Sequence, residues 1–188
     1  MSYDLYCFRI RSDPPSLEEA QAFLESQEAG GPPEDETARS LKRKIADALL
    51  ACNPRLQEFK IDYAAIARTR KISEDLARKE FTHIELDPGD GDPAVQIFMY
   101  NDHVAISMPY WYTGSDADVA FRQINQYLKV IRKEAGYFAF DPQTDRIFDP
   151  EMDTIGDHDK YERIATDLPG MIAKEMKRRE KKAWWKFW

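Results

Sequence analysis

The stretch AVQIFMYNDHVAISMPYW, residues 94–111, restricts the fold more than any other part of this chain. Apolar residues alternate with polar or mixed ones on both sides of Asn101-Asp102. That dipeptide suits a two-residue turn, whose central residues favour positive φ. A turn there sets Met99 opposite Val104, Ile97 opposite Ile106 and Val95 opposite Met108 on one apolar face. The other face pairs Tyr100 with His103, Phe98 with Ala105 and Gln96 with Ser107. FTHIEL, residues 81–86, joins through DPGDGDP and adds Ile84 and Leu86 to the apolar face. The expected unit is a three-stranded antiparallel meander over residues 81–110.

Around it the chain carries both helical and extended signals. YDLYCFRI, residues 3–10, is rich in β-formers on both faces and predicts a strand buried on two sides. Ser16 and Glu19 form a capping box that opens a helix to about Ala29, and GGPPEDE is the loop after it. Ala38, Leu41, Ile45, Ala48, Leu49 and Cys52 recur at helical spacing over about 35–52, until Asn53-Pro54 stops the run. A short extended piece near 56–61 leads to Asp62, the cap of a third helix through YAAIARTRKISEDLARKE. Ser115 caps the clearest helix, with a stripe of Ala117, Ala120, Phe121, Ile124, Leu128 and Ile131, and Gly136 suits its left-handed C-terminus. Strands near 136–140 and 145–149 follow. A last helix spans about 157–182, with Leu168-Pro169-Gly170 interrupting it. Helices and antiparallel strands segregate, so the fold class is α+β, a sheet packed with about five helices.

Charge divides the chain in two. Residues 174–188, KEMKRREKKAWWKFW, hold seven basic and two acidic side chains, a local +5. The remaining 20 basic and 32 acidic residues give −12, within a total of −7. The expected organisation is one domain over 1–173 and a basic, Trp-rich segment over 174–188. A body this acidic repels phosphates and argues against nucleic-acid binding. It attracts basic proteins and speeds their encounter. No apolar run is long enough to span a bilayer and no signal-peptide pattern opens the chain, so the expected location is cytoplasmic. Cys7 and Cys52 fit no metal or disulfide pattern.

Catalytic signatures are missing: no nucleophile elbow, phosphate loop, dinucleotide fingerprint or zinc-protease motif occurs. Asp87, Asp90 and Asp92 fail the spacing of a calcium loop. No cofactor, metal site or catalytic residue is expected. The meander register gathers His83, Phe98, Tyr100 and His103 on one mixed aromatic and polar face, a candidate partner-binding surface. Tyr110, Trp111 and Tyr112, in PYWYTG, extend the candidate anchors, since Tyr and Trp dominate binding hot spots. As an alternative, the His83/His103 face serves a small ligand, a metal or acid-base chemistry. The tail admits three readings: docking on its own domain or a second copy through Trp184, Trp185, Phe187 and Trp188, contact with a partner, or a membrane interface. Docking leads, because a +5 segment complements a −12 body.

SYDLYCF, HIELDPGDGDPAVQIFMYNDHVAISMPYW, YLKVIRKEAGYFAFDPQTDRIFD and the terminal WWKFW together resemble a group of small uncharacterised bacterial cytosolic proteins. The resemblance implies an immunity role beside secreted polymorphic toxins, and it brings no active-site residues with it. The expected function is therefore a non-enzymatic binding protein that neutralises a cognate toxin, such as a basic toxin domain, by direct contact. A peripheral membrane protein held by the tail is the further alternative.

Overall fold

The computed structural model describes residues 2–12, 15–28, 31–89 and 93–155. Its centre is a fully antiparallel seven-stranded sheet. The strands are β1 (Ser2–Phe8), β2 (Gln57–Glu58), β3 (Ile84–Asp87), β4 (Gln96–Met99), β5 (His103–Pro109), β6 (Phe138–Asp141) and β7 (Arg146–Phe148), in the order β2-β3-β4-β5-β1-β6-β7. The described helices are α1 (Leu17–Glu28), α2 (Glu36–Cys52), α3 (Tyr63–Arg70), α4 (Glu74–Glu80) and α5 (Ser115–Ala135). The fold is α+β, as the segregated pattern predicts. No described helix is long and apolar enough to cross a membrane.

Period-two alternation divides the sheet into two unlike faces. On the first, Tyr3, Leu5, Cys7, Leu86, Ile97, Met99, Val104, Ile106 and Met108 are buried beneath α2 and α5. Every member of the α5 stripe expected from spacing is buried, and Tyr127 joins it. Asn53 Nδ2 donates to Tyr127 Oη at 2.7 Å and ties the end of α2 to α5. On the second face α1 covers only one half. Phe23 of α1 stacks on Phe8 at 4.0 Å between centroids, within a cluster that holds Ile10, Ala20 and Phe140. The expectation that β1 is buried on two sides holds only at Phe8: its first face is buried, while Ser2, Asp4 and Tyr6 on the second are half-buried, and α1 leaves the part of this face over β3, β4 and β5 uncovered.

The meander register holds as expected: Met99 faces Val104, Ile97 faces Ile106 and Phe98 faces Ala105. Its turn does not. Neither Asn101 nor Asp102 adopts positive φ, and the two side chains are spent on tertiary hydrogen bonds instead. Asn101 Nδ2 donates to the Pro32 carbonyl at 2.8 Å, and Gln27 Nε2 donates to Asp102 at 3.0 Å.

Other expectations need correction. The single helix expected from Tyr63 to Glu80 is two, because Lys71 takes left-handed backbone (φ 57°) and Ser73 caps a fresh start by accepting from Leu76 N–H at 3.1 Å. Gly114, not Ser115, occupies the N-cap of α5, and no side chain caps it. The piece near 56–61 supplies a seventh strand, β2, paired with β3. The capping box at α1 is half formed: Ser16 accepts from Glu19 N–H, but the Glu19 carboxylate reaches back to the N–H groups of Arg11 and Ser12. The helix expected over 157–182 lies outside the described residues, so the described helices number five only because one expected helix divides.

Candidate functional site

The uncovered part of the second face forms a groove of about 650 Å³. Cross-strand register builds its floor in rows. Ser107 and Asp4 make one row, Phe98, Ala105 and Tyr6 the next, and His103, with Tyr100 hydrogen-bonded across to it, the third. Ala105, small and half-buried, lies between two aromatic neighbours, so the middle row is depressed. Gly31, Pro32, Glu80, Phe81 and Thr82 line it as well.

Four expected site residues meet here. Tyr100, 39% exposed, stacks on His103 at 4.5 Å between centroids, and His83 approaches Tyr100 at 5.6 Å and Phe98 at 6.5 Å. His103 is 6% exposed, and its ring meets Phe23 edge-on at 5.4 Å. Its Nδ1 lies 2.7 Å from Asp102 Oδ1, while Asp102 Oδ2 receives Gln27. Burial pushes the Asp102 carboxyl up, yet the hydrogen bonds from His103 and Gln27 outweigh it and hold the group below its ordinary value. Burial lowers the His83 imidazole, with the nearby Lys42 charge adding to the effect. Tyr100 and Tyr6 are both raised, first by burial; Tyr6 also feels the Asp4 charge. Burial therefore favours the neutral forms of His83, Tyr6 and Tyr100, beside an Asp102 held toward its ionised form.

The other expected anchors are elsewhere. Tyr110 turns into the core at 6% exposure, edge-on to Tyr3 at 6.2 Å, which leaves little of it for a partner. Tyr112 is half-buried and its hydroxyl accepts the N–H of Ala94. Trp111 stands out at 70% exposure, away from the groove. PYWYTG is thus a corner packed by two tyrosines with one outward tryptophan, not a single pocket. Trp184, Trp185, Phe187 and Trp188 lie outside the described residues, as do His158, Asp90 and Asp92.

Sequence reasoning missed Lys42, which is 3% exposed on α2. Its ammonium donates to Glu34 Oε1 at 2.7 Å, the Thr82 carbonyl at 2.7 Å and Asn101 Oδ1 at 2.8 Å. One side chain thereby joins α2, the loop before it, the entry to β3 and the β4–β5 turn, which together frame one end of the groove. A second cleft of about 820 Å³ shares Thr82 and His83 with the first, and carries Arg39, Arg43, Lys60 and Arg78 beside Glu34 and Glu58.

Chemically, the Asp102–His103 pair resembles the base half of a catalytic dyad. No Ser, Thr or Cys side chain is hydrogen-bonded to that ring among the described residues, and Tyr100 covers one of its faces. Among the described residues no three His, Cys, Asp or Glu side chains stand together as metal ligands. Both cysteines are free thiols, and burial raises that of Cys7 far above its ordinary value. The groove offers a concave aromatic surface rimmed by carboxylates, suited to holding a guest. Compared with known proteins, the chain matches no family model, no curated protein and no solved structure.

Proposed function

We propose that this chain is a non-enzymatic binding protein of the immunity type, acting in the bacterial cytoplasm to neutralise a secreted toxin by direct contact. The uncovered half of the sheet is its docking surface. The observation that carries this reading is the groove itself, where Phe98, Tyr100 and Tyr6 stand on a rigid central sheet with Asp4, Glu80 and Asp102 around them. Aromatic side chains held by a sheet bury large area at little entropic cost, the usual make-up of a hot spot. The −12 charge over residues 1–173 favours a basic target. A toxin that acts on nucleic acid would present such a surface, and the chain would cover the cationic groups it uses on phosphates.

The test is genetic. An open reading frame beside the gene should carry a toxin domain, and co-expression of this chain should restore the growth that the domain arrests. Tyr100→Ala should weaken protection, because it removes the most exposed ring of the groove. Arrest that persists at matched expression refutes the immunity reading.

A further inference from the structure

The geometry points to a slot for one arginine side chain of the partner, its guanidinium held between Phe98 and Tyr6 above Ala105 and answered by Asp4. This inference rests on the reading of the face as a partner-binding surface, and it names the chemistry that the surface receives.

Spacing is the first argument. Phe98 and Tyr6 both stand opposite Ala105, on the strands to either side of β5. Adjacent strands lie about 4.8 Å apart, so β4 and β1 are separated by roughly 9.6 Å across a residue that has only a methyl group. A flat group stacked between two rings needs about 7 Å, two contacts of roughly 3.5 Å each. The interval is wider than that by roughly 2.6 Å, so a planar guanidinium enters it and stacks on one ring with the other beside it, and the rounded, strongly hydrated ammonium of lysine uses it less well. Asp4 and Ser107 form the neighbouring row, within reach of N–H groups projecting from the slot.

The second argument is hydrogen-bond inventory. The groove's dedicated donors are already committed: Asn101 Nδ2 to the Pro32 carbonyl, Gln27 Nε2 to Asp102, and the Nδ1 side of His103 to Asp102. With Nδ1 taken up by Asp102, Nε2 is the ring nitrogen left over. That atom makes no hydrogen bond among the described residues, although its side chain is more than nine-tenths buried and lines the groove. The Asp4 carboxylate receives only the Ser2 hydroxyl among the described residues, at 2.9 Å. Hydroxyls and the His83 and His103 rings serve either role, so the fixed surplus is the carboxylate oxygens. A guest must therefore bring donors.

Charge is the third. Asp4, Glu80 and Asp102 line the groove, and no Lys or Arg does so among the described residues. The nearest buried cation, Lys42, is turned toward Glu34, Thr82 and Asn101 with its donors taken.

The experiment uses the full chain, isotopically labelled, titrated with acetyl-Gly-Arg-Gly-amide and followed by amide chemical shifts. Saturable shifts centred on Tyr6, Phe98 and Ala105 are expected, with at least tenfold weaker binding of the citrulline peptide, which keeps the shape and loses the charge. Ala105→Leu fills the slot and Asp4→Asn removes the counter-charge; each should weaken the arginine peptide about tenfold. Asp4→Asn is a half-exposed, near-isosteric change and serves if Ala105→Leu does not fold. Equal response to citrulline, or no saturable shift at the slot, overturns the inference. So does a slot that ignores the peptide and contacts residues 174–188 of its own chain. A toxin domain that binds wild type and both variants alike also overturns it, while leaving the proposed function standing. Arginine binding without rescue of growth leaves the slot standing and removes the immunity reading.

Discussion

A buried ammonium persists in a fold only when its three hydrogens are accepted, and Lys42 meets that condition with partners drawn from three distant segments. Lys42→Ala should lower stability by about 3–5 kcal/mol, because it opens a cavity and leaves the largely buried Glu34 without its nearest counter-charge. Adding Glu34→Gln to Lys42→Met should recover part of the loss. Urea unfolding across that cycle should give a coupling above about 1 kcal/mol, and additive effects would contradict the node. Lysine is nearly always a surface residue, so the residues near position 42 give no hint that this one is interior. His83, Phe98, Tyr100 and His103 are legible together because strand alternation is rigid. Continued two residues past Met108, the same alternation puts Tyr110 on the core face, a signal that the aromatic richness of PYWYTG conceals. Asp102 is equally hard to single out, since its partners Gln27 and His103 meet only after α1 crosses the sheet.

At the scale of elements, what can be read from the chain depends on whether local or distant forces set the geometry. The hairpin register and the α5 stripe follow from periodicity, and both stand as expected. The conformation of the hairpin turn and the break between α3 and α4 do not. At Asn101-Asp102, tertiary hydrogen bonds override the local preference for a positive-φ turn. At Lys71 no Gly or Pro announces the break, so a continuous helix is the natural expectation. The left-handed backbone there is strained for a side chain with a Cβ, by about 1–2 kcal/mol. Lys71→Gly should therefore raise stability by about 0.5–1 kcal/mol, after the extra freedom that glycine gives the unfolded chain is subtracted. Gly136, at φ 71° on the C-cap of α5, has open space where a Cβ would stand, so only the backbone angle opposes a side chain. Gly136→Ala should lower stability by about 1 kcal/mol. Opposite signs in thermal unfolding of the two variants would confirm the assignment of both caps, and equal signs would refute it.

For the molecule as a whole, the decisive asymmetry is between the two faces of one sheet. α2 and α5 close the first face, and α1 stops halfway across the second. The uncovered half is where carboxylates, rings and the groove coincide. Electrostatic steering from an acidic body acts over distances at which salt screens, with a Debye length of about 8 Å near physiological ionic strength. Stacked and hydrogen-bonded contacts inside a groove are screened much less. Association with a basic partner should therefore slow by about tenfold or more between roughly 0.05 and 0.5 M salt, while dissociation changes by less than about threefold. Stopped-flow measurement with the toxin domain identified by growth rescue separates the two rates. Should association prove insensitive to salt while protection persists, the acidity serves solubility, and the aromatic floor must carry recognition by shape. Should dissociation instead follow the salt, the contact is made by exposed charges, and Phe98, Tyr100 and Tyr6 are not its anchors.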